Sequence, residues 1–167
     1  MSSLEQVGPG PTEGGSSLFS LTIEYAMRAM VALAAGGGQS MTTRQIAETM
    51  MVPQSYLSKV LQSLVRARLV HSTRGLKGGF VLARDPGDLN MMEILTAVSP
   101  YKRIETCPLD LDEHSSDLCP LHRRLDQAMA MVQEAFEGTT LAEILSDDNP
   151  CPTLQKQLEK LKPLESD

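Results

Sequence analysis

Residues 42–84 read TTRQIAETMMVPQSYLSKVLQSLVRARLVHSTRGLKGGFVLAR. In the middle of this stretch Tyr56, Leu57, Val60, Leu61, Leu64 and Val65 recur at i, i+1, i+4 and i+5, which gathers them on one face of a helix. The other face carries Gln54, Ser55, Ser58, Lys59, Gln62 and Arg66, rich in hydrogen-bond donors and free of acids. Pro53 suits the first helical turn, where a missing N–H costs nothing. Upstream, Thr42 or Thr43 caps a shorter helix that turns Ile46, Ala47 and Met50 inward. Downstream, two short apolar runs flank Gly75, Gly78 and Gly79, the pattern of a hairpin.

Two helices joined by a tight turn and followed by a basic hairpin make a winged helix-turn-helix. In such a module the second helix enters a major groove, and Arg74 and Lys77 on the wing reach the backbone or the minor groove. Gln54, Ser55 and Ser58 near the helix start face base edges, while Lys59 and Arg74 hold phosphates or a minor groove. Thr43, Arg44, Tyr56 and Gly75 complete the candidate DNA-binding set. His71, at the foot of the wing, reads as structural. The charge distribution agrees with this better than the total does. The chain is net −6, yet Ser40–Arg84 holds seven basic residues against Glu48 alone, a local +6 that leaves −12 for the remainder. A basic module in an acidic chain is the electrostatic footprint of a DNA reader with an acidic accessory region. The plainer alternative is a solvated helix pair with ordinary surface basics.

At 167 residues and 41% hydrophobic content, the chain has room for one domain and a dimerising appendage. No apolar run approaches the roughly 18 residues of a membrane span. Residues 1–17 are Gly, Pro, Ser and Glu with no basic start or apolar core, so they read as a flexible tail and not a signal peptide. Three cysteines argue against a disulfide framework. A cytoplasmic location is therefore expected, with no membrane partner.

A helix is expected from about Leu18 to Ala35, with Leu21, Tyr25, Ala29, Met30 and Leu33 on one side and Gly36-Gly37-Gly38 ending it. Glu24 and Arg28 sit one turn apart on the other side, a surface pair in the simplest view. After the wing, Asp85-Pro86-Gly87-Asp88 supplies turn chemistry. Met91–Val98 is a short helix that Pro100 stops. Residues 101–118 are a long acidic loop holding Cys107, Asp110, Asp112, Glu113, His114 and Asp117, and such loops are usually functional or disordered. A long helix starts near Cys119-Pro120. Its Leu121, Leu125, Ala128, Val132 and Phe136 step by 4, 3, 4 and 4 residues, close to a coiled-coil seam. On an appendage beside a winged helix, that seam is expected to pair two subunits. Gly138 ends the helix, and Thr140 caps a short one to Leu145.

Domain boundaries are drawn accordingly. A tail covers 1–17, a winged helix-turn-helix domain 18–99 and a loop 100–118. The dimerisation helix and a short closing helix cover 119–146, and a C-terminal tail holding Cys151 covers 147–167. The fold class is mainly α with a small β-hairpin wing. No nucleophile–base constellation or phosphate loop appears, and GLKGG lacks the strand-to-helix context of one, so an enzyme is not expected.

Cys107 and Cys119 bracket the acidic loop, and Cys119-Pro-Leu-His122 places a histidine one turn further on. Thiolates select soft metals, zinc or iron–sulfur clusters. Two cysteines that merely pack or lie exposed are the alternative at this point. From Leu21 to about Leu145, however, the chain resembles the Rrf-two (Rrf2) family of bacterial regulators. LTIEYAMRAMVALA, IAETMMVPQSYLSKVLQSLVRARLV, the wing RGLKGGFVLAR and the following GDLNMMEILTAVS carry the likeness. Cys119-Pro-Leu-His with its long helix and the closing TTLAEIL complete it.

The resemblance implies a homodimeric winged-helix transcription factor that binds palindromic double-stranded operator DNA. It also implies an iron–sulfur cluster whose state reports iron, nitric oxide or redox conditions and changes DNA affinity. Family members often hold the cluster on three loop cysteines. Here Cys107 matches the first and Cys119 the last, none lies between, and His114 sits near the middle position. For the fourth ligand, His122 matches one family pattern. Glu24, just before Tyr25 and supplied by the partner subunit, matches another. The implied metal set is Cys107, Cys119, Glu24, His122 and His114, and a 2Fe–2S cluster is favoured over 4Fe–4S. The alternatives are a cluster-free regulator sensing oxidants or a small ligand, and a non-DNA iron–sulfur interaction or electron-transfer module.

Overall fold

The computed structural model describes residues 19–75, 78–107 and 118–146, together with positions 156 and 159. Lys77, His114, Cys151 and both tails drawn from the sequence lie outside these segments, apart from the two isolated positions. The α-helices bounded within the described segments occur in the order α1 (Leu21–Ala35), α2 (Thr43–Met50), α3 (Gln54–Arg66), α4 (Met91–Val98), α5 (Pro120–Glu137) and α6 (Leu141–Leu145). Strands β1 (Val70–Thr73) and β2 (Gly79–Leu82) follow α3 as an antiparallel hairpin with Val70 opposite Leu82 and Thr73 opposite Gly79.

Local chemistry sets most of the helix starts. Thr42 with Gln45, Asn90 with Glu93 and Thr140 with Glu143 each form a capping box in which side chain and backbone satisfy one another's free N–H groups. Pro53 is the N-cap residue of α3, just outside the first turn in which the sequence placed it, and no side chain caps that start. The turn between α2 and α3 runs through Met51 in the left-handed region (φ 52°). That conformation costs an L-residue about 1–2 kcal/mol; here it turns the chain so that Val52 enters the core while Met51 stays exposed.

The core is organised around α1, which packs on α2, α3, α4 and α6. Ala26, Ala29, Met30, Ala32 and Leu33 are at most 1% exposed, so the helix is buried nearly all round. The one-sided face expected from the sequence needs correcting, because Ala29–Ala34 (AMVALA) is apolar and buried on every side, while Glu24 and Arg28 before it stay part-exposed. Leu21, expected inward, is exposed, since it lies in the first turn. From α3 come Leu57, Val60, Leu61 and Leu64. Tyr56 leaves the expected apolar face: it is 59% exposed, at the helix start, in a T-shaped contact with Tyr25.

A second, smaller cluster joins Ile23 of α1 to Met92 and Leu95 of α4, with Phe19, Tyr101 and Phe136 against it. Leu141 of α6 is fully buried in the main core, and its N–H donates to the Leu89 carbonyl. The closing helix thus packs with α1, although the sequence grouped it with the long helix. On α5 no residue is buried. Leu121, Leu125 and Met131 are exposed. No described helix is long and apolar enough to cross a membrane.

Candidate nucleic-acid interface and metal centre

The start of α3 and the wing carry the exposed candidate residues, and the second half of α3 (Gln62, Val65, Arg66) lies against Ser72 and Phe80 of the hairpin. Gln54, Ser55, Tyr56 and Lys59 are exposed. Ser58 is half-buried, and its hydroxyl donates to the Gln54 carbonyl at 3.0 Å, the local back-bonding open to serine in a helix. On α2, Thr43 is half-buried, and Arg44 is exposed but paired with Glu48 at 2.7 Å. That hydrogen bond holds the Arg44 guanidinium above its ordinary value.

The wing is fastened at its base. Met41 and Phe80 exchange backbone hydrogen bonds, tying β2 to the segment before α2. Gly79 has to be glycine for this: a Cβ there would stand 2.6 Å from Ser40 Oγ and 2.7 Å from the Met41 carbonyl oxygen. At the tip, Gly75 takes φ 109° and Arg74 is exposed. Arg84, counted in the basic module, turns the other way and pairs with Glu93 on α4. This pairing removes one charge from the basic face.

The cysteines meet at the start of α5. Cys119 is its N-cap residue, Pro120 its first, and His122 lies one turn in. Cys107, buried, approaches from the irregular segment 101–107. His122 Nδ1 lies 3.2 Å from the Cys119 sulfur and 3.6 Å from the Cys107 sulfur. Side chains not foreseen from the sequence fix that approach. Asp126 accepts from the Arg103 guanidinium through both oxygens and from the Ile104 N–H, and the Tyr101 hydroxyl donates to the Met129 carbonyl. The Arg103 hydrogen bond, helped by the Ile104 N–H, keeps the Asp126 carboxyl below its ordinary range. A signal for Asp126 was present: positions 119, 122 and 126 share one helix face. Nothing in the sequence points to its partner Arg103.

The expected metal set is only partly assembled. Among the described residues, the group of possible ligands contains Cys107, Cys119 and His122. Glu24 is not in it; its carboxylate pairs with Arg28, which also donates to the Met50 carbonyl at 3.3 Å. His114 lies outside the described residues.

Residues 19–147 match the Rrf2 family, described as iron-dependent transcriptional regulators. The regulator NsrR of Bacillus subtilis is 28% identical over 140 residues, covering 81% of this chain and 95% of its own. Among solved structures, T. potens IscR superposes with a TM-score of 0.64 at 26% identity, over 78% of this chain and 88% of that one. CymR, the global cysteine regulator of B. subtilis, gives 0.63 at 28%, over 77% and 95%.

Proposed function

Because this chain belongs to the Rrf2 family of transcriptional regulators, we propose that it binds palindromic operator DNA as a homodimer, its affinity set by an iron–sulfur cluster. Each protomer would lay α3 in a major groove, with half-sites about one helical turn apart. Gln54, Ser55 and Tyr56 would meet base edges, with Ser58 contributing through whatever its bond to Gln54 leaves free. Lys59, Arg74, Gly75 and Lys77 would hold phosphates or the minor groove, with Thr43 and Arg44 against the backbone.

The observation that carries the cluster is the convergence of Cys107, Cys119 and His122. Two thiolates and an imidazole are soft-to-borderline donors, a set that suits iron–sulfur ligation and mixed-ligand 2Fe–2S centres in particular. When bound, the cluster supplies one-electron chemistry and a centre sensitive to iron supply or nitric oxide. Cys107, Cys119 and His122 would hold it, with the fourth position filled by the partner subunit's Glu24 or by His114. Arg103 and Asp126 orient the arm that brings Cys107 in. A thiol-based sensor is the second possibility, favoured by two sulfurs in one compact group and by the likeness to a cysteine regulator.

The test is the visible spectrum, with iron and sulfide counts, of anaerobically purified wild type and Cys107→Ala. Visible absorption lost in the variant supports cysteine ligation. A colourless wild type that still binds DNA would leave the winged helix standing and make the cysteines thiol sensors.

A further inference from the structure

The donor atoms of Cys107, Cys119 and His122 all lie within 4.8 Å of one another, and this compactness says more than the residue types do. A tetrahedral zinc ion takes sulfur at about 2.3 Å and imidazole nitrogen at about 2.0–2.1 Å. Neighbouring sulfur and nitrogen donors then stand about 3.5–3.6 Å apart, and two sulfurs about 3.8 Å apart. His122 Nδ1 sits 3.6 Å from one sulfur and 3.2 Å from the other. Both nitrogen–sulfur separations are close to those around a single ion, and the two sulfurs lie within 4.8 Å of each other. A cluster distributes its ligands over two or more irons, so it would need these side chains to spread.

We infer that in the cluster-free protein Cys107, Cys119 and His122 form a three-donor site for a single soft divalent cation, with zinc the best match. The inference rests on the cluster-binding proposal for the residues themselves, and it adds what they hold when no cluster is present. Nitrogen and sulfur donors bind zinc more tightly than ferrous iron. The site is also preorganised: Cys119 and His122 are spaced by the helix backbone, and Cys107 is held by the Arg103–Asp126 strap. Zinc and cluster need the same three side chains, so each excludes the other.

The test uses the full-length chain, reduced and stripped of metal, titrated anaerobically first with Co²⁺ and then with Zn²⁺. Tetrahedral thiolate-bound cobalt gives intense ligand-field bands and a sulfur-to-cobalt charge-transfer band. One ion per chain is expected, with both band types and displacement by equimolar zinc. His122→Ala should lower cobalt affinity by at least ~tenfold, and its half-exposed side chain can be removed without opening the core. Cys119→Ser should about halve the charge-transfer intensity, since one of two sulfurs is lost. A pale octahedral spectrum, or an affinity that His122→Ala leaves unchanged, overturns the single-ion site. A second sample, reconstituted with ferrous iron and sulfide, separates the two proposals. Cluster absorption without a tetrahedral cobalt site refutes the single ion alone. Cobalt binding without cluster formation refutes the cluster alone.

Discussion

The proposed dimer makes the sharpest quantitative demand on α5. Leu121 and Leu125 leave 64% and 47% of their surface open, on the seam read from the sequence. If α5 pairs with its copy, the two together withdraw roughly one whole leucine side chain per protomer from water, about 1.5–3 kcal/mol. A two-fold axis counts every substitution twice. Leu121→Ala with Leu125→Ala should then cost the dimer about 3–6 kcal/mol, a rise of roughly two to four orders of magnitude in dissociation constant. Neither side chain belongs to the protomer core, so the helical circular dichroism of the monomer should survive. Analytical ultracentrifugation across a dilution series reads the dissociation midpoint. A midpoint that moves less than about tenfold would mean that α5 is not the dimer seam, and its exposed leucines would need another explanation.

Three further perturbations probe the wing, its anchoring and the strap. Arg74→Ala should weaken specific and nonspecific DNA alike and reduce the salt slope by about one, whereas Arg84→Ala, already committed to Glu93, should leave the slope alone; anisotropy titrations at several salt concentrations decide this. Gly79→Ala forces a Cβ against Ser40 Oγ and the Met41 backbone and should destabilise the fold by about 1–3 kcal/mol, read as a lower urea midpoint. Asp126 has a folded-state pKa held below its ordinary 3.8. Its contribution to stability is therefore complete above the unfolded value and is lost as pH falls through the folded one. Asp126→Asn should flatten that acid limb in thermal melts between pH 2 and pH 5, and identical limbs in wild type and variant would remove the strap from the account.

The helix-turn-helix and wing were legible because their signals are local. Period 3.6 in Leu57, Val60, Leu61 and Leu64, threonine and asparagine caps, and glycines at a turn each act over a few residues. What escaped is what depends on partners far along the chain. Tyr56 shares the apolar spacing of Leu57, but at the first turn of α3 no second layer covers it, and its ring is left edge-on to Tyr25 at 6.2 Å. Arg103 and Asp126 are 23 residues apart, and pairing at that range leaves no periodic trace. Cys107, Cys119 and His122 were legible as residue types. The one-turn spacing of Cys119 and His122 was legible too, and the family resemblance grouped Cys107 with them; what left no trace is the strap that brings Cys107 in.

The way these pieces pack also constrains how the cysteine site can reach DNA. Tyr101, at the root of the Cys107 arm, and Phe136, near the end of α5, both pack on the small cluster of Ile23, Met92 and Leu95. Ile23 lies on α1, whose next residues reach Tyr25 beside Tyr56 and Arg28 on the Met50 carbonyl, at the end of α2. One helix therefore touches both the end that holds the cysteines and the end proposed to read DNA. Leu57, Leu61 and Leu64 of α3 are fully buried in the same core as α1. A close-packed interior transmits a displacement and does not absorb it. Sliding α3 within its own module would open voids along that face, whereas moving α1 to α4 together with α6 against α5 leaves that core whole and disturbs the small cluster, where Phe136 packs, and the bond from Met91 N–H to the Thr139 carbonyl. In the proposed dimer, a change at the cysteines is thus expected to alter the spacing between the two reading heads and leave each head intact, so effector state should change operator affinity far more than binding by an isolated half-site.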